Sequence, residues 1–177
     1  MTREKTLSSR LVYEGRAVRL RVDTVGVSGG RETTREIVEH DDCVAIIAVD
    51  AGKVLLVKQF RKAVEKELLE IPAGGIDSGE SPEEAVNREL REETGYLPRK
   101  LVRLGGFYSA PGYSTEYLYL YLATELVPSR LFAEDTEGIT VVRVSLKEVP
   151  GLINSGSICD AKSIAGLLAY LEYMKAQ

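Results

Sequence analysis

Three glutamates, Glu89, Glu92 and Glu93, stand at positions i, i+3 and i+4 of a segment that reads as a helix from Ser81 to Thr94. That spacing gathers the three carboxylates on one side of the helix. Like charges so placed cost helix stability by roughly a few tenths of a kcal/mol per pair. One account is a solvated charged face, offset by Arg88 and Arg91. Another is a site for a hard divalent cation, which takes oxygen ligands from carboxylates, carbonyls, water and substrate phosphates. Two neighbours favour the second. Ala73-Gly74-Gly75 precedes the helix, and a glycine backbone can approach a cation closely. Arg88 can grip a carboxylate through two N–H bonds and fix its orientation. Such a site suits phosphoryl transfer, in which the metal offsets charge on phosphate oxygens and activates a water.

The helix has marked ends. Ser81 is its N-cap, Pro82 fits the first turn, and Glu84 completes an S-x-x-E capping box. Gly95 is the C-terminal stop, with Pro98 beyond it. Val86 and Leu90 face the core. Cys43–Val49 is a continuous apolar run, as expected of a strand buried on both faces. Asp50-Ala51-Gly52-Lys53 is a tight turn, and residues 54–57 form the return strand. Gly74–Gly79 reads as a glycine-rich loop. Short strands are expected over residues 10–40, at Leu101–Phe107, at Glu116–Ala123 and at Ile139–Val144. Leu131–Gly138 reads as an acidic loop. A closing helix begins near Asp160, with Ile164, Leu167, Leu168 and Leu171 expected on one face. The class is α+β, divided into an N-terminal β element over 1–40 and a catalytic domain over 41–177.

The 177 residues are 44% hydrophobic and 28% charged, so one core can form without disulfide or metal staples. A net charge of −4 offers no electrostatic case for nucleic acid or an anionic membrane. The start of the chain lacks an apolar secretory segment, and no window is apolar enough to span a bilayer. Cys43 and Cys159 fit no metal or redox spacing and read as small apolar residues. A reduced, cytoplasmic protein is expected. His40, the one histidine, is expected to be structural.

The pattern Gly74-x5-Glu80-x7-Arg88-Glu89-Leu90-x-Glu92-Glu93-x-Gly95-Tyr96 resembles the Nudix box at every fixed position. The one soft departure is Tyr96, where an aliphatic residue is usual. Further segments are similar to the ADP-ribose pyrophosphatase subgroup of that family. They are Leu68–Gly74, Arg35-Glu36, Gln59-Phe60-Arg61, and Ser109–Glu116 with its Pro111. The resemblance implies a Nudix α/β/α sandwich with a mixed sheet and a small N-terminal β element. It implies hydrolysis of the ADP-ribose pyrophosphate to AMP and ribose 5-phosphate. It also implies a homodimer that exchanges N-terminal strands.

By that carry-over, Glu89, Glu93 and the Ala73 carbonyl hold Mg²⁺, with Mn²⁺ a substitute and two or more ions expected. Glu92 is a further ligand or a partner of one. Arg88 orients a carboxylate, and Glu80 places the loop or a metal-bound water. Arg35 and Arg61 contact phosphate or ribose. Glu36, Glu70 and Gly112 are further substrate contacts, and Glu116 meets the terminal sugar. Glu137 is the first choice as general base and Glu134 the second. Tyr13, Tyr113 and Phe107 are candidates to stack on adenine. Two alternatives remain. One is a pyrophosphatase for another nucleoside diphosphate sugar, such as GDP-mannose. The other is a non-catalytic nucleotide sensor, which the intact Glu89, Glu92 and Glu93 disfavour.

Overall fold

The computed structural model describes residues 4–133 and 136–177, and these fall into two units. The first comprises the chain up to Asp42 together with Tyr108–Tyr117. Its strands β1 (Lys5–Glu14), β2 (Arg19–Val27) and β3 (Arg31–Glu39) form an antiparallel three-stranded sheet. They run longer than their local patterns suggest, because pairing with a neighbour extends a strand past its apolar core. β2 buries Asp23 and Val25. Arg21 satisfies Asp23 at 3.1 Å and also pairs with Glu39. The 110–115 loop clasps the end of β3. Val38 N–H donates to the Tyr113 carbonyl at 2.7 Å, and Thr115 N–H to the Val38 carbonyl at 3.0 Å.

The second unit comprises Cys43–Phe107 and Leu118–Gln177. Its elements are β4 (Cys43–Asp50), β5 (Lys53–Arg61), β6 (Lys66–Glu70), β7 (Ala73–Gly75), α1 (Pro82–Thr94) and β8 (Tyr96–Tyr108), which reaches into the first unit by its last residue. There follow β9 (Tyr117–Pro128), β10 (Thr140–Ser145), α2 (Val149–Asn154) and α3 (Ala161–Lys175). The sheet order is β10-β5-β4-β9-β8, with β6 on β5 and β7 on β4. The sheet is mixed: β4 runs parallel to β9 and antiparallel to β5 and β7.

β4 is apolar from Cys43 to Val49 because both its faces are covered. Cys43, Ala45 and Ile47 face a core shared with Val149, Leu167 and Tyr170 of α2 and α3. Val44, Ile46 and Ala48 face Ala85, Val86 and Leu90 of α1. The α/β/α sandwich follows from this alternation. The turn after β4 has Ala51 at φ 48° and Gly52 at φ 75°, the left-handed pair that matches strand twist in a two-residue hairpin.

Two expectations are corrected, and one element, α2, was not expected. Gly74 and Gly75 are not loop; they pair with Val44 and Cys43. Two glycines in a three-residue strand give no alternation to read, so only the neighbour defines it. The short helix α2 has too few turns to carry a period. Leu168 is exposed rather than core. The buried stripe of α3 runs through Ser163, Gly166, Leu167 and Tyr170. A Cβ at Gly166 would stand 3.0 Å from Ile71 and Leu120 methyls, so glycine sets how closely α3 seats on the sheet. Leu168, one residue on from Leu167, turns away by about 100°.

Candidate functional site

α1 is built to hold its glutamates still. The Ser81 Oγ accepts from Glu84 N–H, and the Glu84 carboxylate accepts from Ser81 N–H at 2.8 Å. Gly95 ends the helix at φ 82°, where its N–H donates to the Arg91 carbonyl. Val86 and Leu90 anchor the inner face, and the polar face meets β7 and the Ile76–Gly79 turn.

Arg88 is the hub of that face. Its Nε and Nη2 donate to the two oxygens of Glu80 at 2.9 and 2.8 Å. Nη1 donates to Glu89 at 2.6 Å and to Glu92 at 3.4 Å. Nη2 also donates to the Gly75 carbonyl at 2.8 Å. Its bonds to Glu80 hold that carboxyl below the usual carboxylate range. One guanidinium thereby fixes two helix carboxylates, the loop and the strand.

Gly74 permits the closest approach. A Cβ built there would lie 2.0 Å from the Glu89 carboxyl carbon, so any side chain displaces that carboxylate. Glu93 lies beneath, buried, accepting from Ala73 N–H at 3.1 Å. Burial, with the charge of Glu89 beside it, pushes the Glu93 carboxyl up to about 8. A buried carboxylate in this state calls for a positive partner. With Glu89, Glu92 and the backbone of Ala73 nearby, the donor set is all oxygen and fits a hard divalent cation.

A second charged cluster adjoins the first. The Glu70 carboxylate is 1% exposed and takes a two-pronged bond from Arg61, Nε at 2.8 Å and Nη2 at 2.7 Å. Lys162 of α3 donates to the same Glu70 Oε2, and to Asp160 at 2.9 Å. Burial pushes the Glu70 carboxyl up, but Arg61 and Lys162 outweigh it and hold it below its ordinary value. Asp160 caps α3 by accepting from Ser163 N–H, and Ser163 Oγ accepts from Ile71 N–H. The sequence marks Asp160 only as the start of the closing helix and gives no sign of Lys162 as a site residue. They lie some ninety residues from Glu70, and a lysine in the first turn of a helix carries no signal of its own.

The remaining expected residues are dispersed. Glu137 is exposed in the turn ahead of β10, followed by Gly138 at φ 89°. Glu134 lies outside the described residues. The segment leading to that turn is tied to α1: Arg91 Nε donates to the Ser129 carbonyl at 3.2 Å, and Leu131 N–H to the Arg91 carbonyl at 3.3 Å. Arg35, Glu36, Gly112 and Glu116 belong to the N-terminal unit. Arg35 pairs there with Glu4, Nη2 to Oε1 at 2.5 Å. Glu36 and Gly112 are exposed. Glu116 stands 3.9 Å from the His40 ring. Tyr13 and Tyr113 are exposed, whereas Phe107 packs on the core.

A NUDIX domain model matches residues 39–166. The chain belongs to the Nudix family. The ADP-ribose pyrophosphatase of Bacillus subtilis is 39% identical over 98% of this chain and 95% of its own length. The methanol dehydrogenase activator of Bacillus methanolicus is 36% identical over the same shares. A crystal structure of an ADP compounds hydrolase superposes with a TM-score of 0.92 at 25% identity, covering 100% of this chain and 97% of that one. Nudix hydrolases generally use divalent metal, in keeping with the all-oxygen donor set around Glu93.

The raised Glu93 carboxyl makes a pH prediction. Folding lifts it from an ordinary 4.5 to about 8, so between those values the folded chain holds a proton that the unfolded chain has released. Without divalent cation, stability should therefore fall as pH rises through that window. Melting temperatures in EDTA should decline from about pH 5 to about pH 8.5, and Glu93→Gln should flatten the decline. An equal slope in both proteins would refute it.

Proposed function

We propose that the chain hydrolyses the pyrophosphate of ADP-ribose to AMP and ribose 5-phosphate, with Mg²⁺ as its metal. The observation that carries this reading is the near-full-length similarity to an ADP-ribose pyrophosphatase, joined to an intact set of box carboxylates. Glu89, Glu93 and the Ala73 carbonyl would hold the metal, with Glu92 as a further ligand. Mn²⁺ can substitute, and three carboxylates have capacity for two or more ions. Bound metal supplies charge neutralisation at the phosphates and a more acidic water.

The chain's own groups do the rest. Arg88 and Gly74 keep Glu89 in place, and Glu80 keeps Arg88 in place. The Arg61 fork is suited to pyrophosphate oxygens. Arg35, Glu36, Gly112 and Glu116 are the further candidates for contact with the nucleotide and terminal sugar. Glu137 takes the proton as water oxygen bonds to phosphorus and the bridging P–O bond breaks. Its exposed turn, hinged at Gly138, suits a base that arrives by closure. Glu134 is the next candidate.

A homodimer with exchanged N-terminal strands completes the site. β1 offers Leu7, Leu11, Val12 and Tyr13 to solvent, an apolar surface that a second copy would cover. Both cysteines are free, which suits a cytoplasmic setting. Among the described residues, no helix is long and apolar enough to cross a membrane.

Incubation with ADP-ribose and Mg²⁺ should yield AMP and ribose 5-phosphate. In a panel including GDP-mannose, ADP-ribose should give the highest kcat/KM, and a better sugar nucleotide would displace it. Glu137→Gln should lower kcat by about 100-fold or more while Mg²⁺ affinity holds. An unchanged kcat would pass the role to Glu134. Light scattering should report a dimer, and Leu11→Asp should shift it to monomer with at least about a tenfold loss of activity. A fully active native monomer would remove the dimer.

A further inference from the structure

Glu70 has two cationic partners of unequal standing. Arg61 and Lys162 meet on one oxygen, Oε2. The Arg61 side chain is 41% exposed and that of Lys162 only 17%. Arg61 ends β5 and has solvent beside it, so its guanidinium can turn outward. Lys162 is confined by α3 and tethered to Asp160 at 2.9 Å. If Arg61 left a carboxylate with no other cation, a buried charge would be stranded, and that penalty would hold Arg61 in place. Lys162 removes the penalty, because Glu70 keeps an ammonium on Oε2 and the Lys162–Asp160–Glu70 set stays joined. Asp160 holds Lys162 and Ser163 N–H through Oδ1, while its buried Oδ2 has no hydrogen-bond partner among the described residues.

We propose that Lys162 is a positioning residue for Arg61: it holds the Glu70 charge while the Arg61 guanidinium turns from Glu70 to a phosphate oxygen of the substrate. This rests on the reading that the site takes a pyrophosphate. Lys162 itself touches no substrate. It sets how readily Arg61 is released, and so acts on binding more than on the chemical step.

The test compares native protein, Lys162→Met, Lys162→Arg, Glu70→Gln and the double variant Lys162→Met/Glu70→Gln. Kd for inorganic pyrophosphate and for ADP-ribose is measured by calorimetry in EDTA, and KM and kcat with Mg²⁺. Lys162→Met should raise Kd and KM by about 10- to 100-fold with a smaller change in kcat, and Lys162→Arg should recover most of it. Glu70→Gln leaves no buried charge to hold, so adding Lys162→Met to it should change Kd little. A helix-seating role would instead lower the melting temperature and persist unchanged in the Glu70→Gln background, which overturns the proposal. So does a Lys162→Met protein with native Kd and KM. If native protein binds pyrophosphate but does not cleave ADP-ribose, the substrate reading fails alone and the pyrophosphate Kd values decide. If it binds neither ligand in EDTA and cleaves no ADP-ribose with Mg²⁺, both fail.

Discussion

Mutual repulsion among Asp77, Glu80, Glu89 and Glu92, above the buried Glu93, is the constraint around which the catalytic unit is arranged. Two unit charges about 4 Å apart repel by roughly 1 kcal/mol in water and by several times that near protein. Left alone, these side chains would splay into solvent. Arg88 prevents this for Glu80, Glu89 and Glu92, and ties them to the Gly75 carbonyl. Asp77 lies 3.6 Å from the same guanidinium. One positive charge organises this group without neutralising it. The residual negative pole is what makes the arrangement a receptor for a cation rather than a closed salt-bridge network.

Holding that pole requires a backbone that does not yield. The capping box and left-handed Gly95 fix both ends of α1, and Val86 and Leu90 fix its inner face. β7 is pinned to β4 by strand pairing, which places Gly74 under Glu89 and Ala73 N–H against Glu93. The most deeply buried strand and the most polar helix are therefore neighbours by necessity. β4 supplies apolar burial on both faces, and that rigidity lets charged side chains stand close on an adjoining surface.

Local chemistry decided what could be read from the residues alone. α1 announces itself through Ser81, Pro82, Glu84 and Gly95, and its glutamate spacing maps directly to one face. β4 announces itself because a strand covered twice is apolar twice. The misses share the opposite character. The β7 strand, the exposure of Leu168 and the placement of Lys162 against Glu70 are all set by another element far away in sequence. Gly166 shows why: a missing side chain fixes the seat of α3, and nothing in its neighbours says what α3 will meet. Box positions follow from spacing, whereas the Glu70 cluster exists only once α3 has docked.

The two charged clusters act on each other, and their balance favours a metal. Arg61 and Lys162 both pull the Glu93 carboxyl down, as does the Ala73 N–H, while burial and Glu89 push it up. The upward causes win, and the group ends near 8. Two nearby cations and a backbone donor are thus too weak to keep Glu93 ionised at neutral pH, because Glu70 and Asp160 already engage those cations. A divalent ion among Glu89, Glu92 and Glu93 would reverse that outcome. It would bring two charges into contact with the carboxylates, whereas Arg61 and Lys162 act from a distance through their own partners. On the proposed reading, an anionic substrate then meets positive charge from two directions: the metal at the box, and the Arg61 guanidinium at the mouth of the Glu70 cluster.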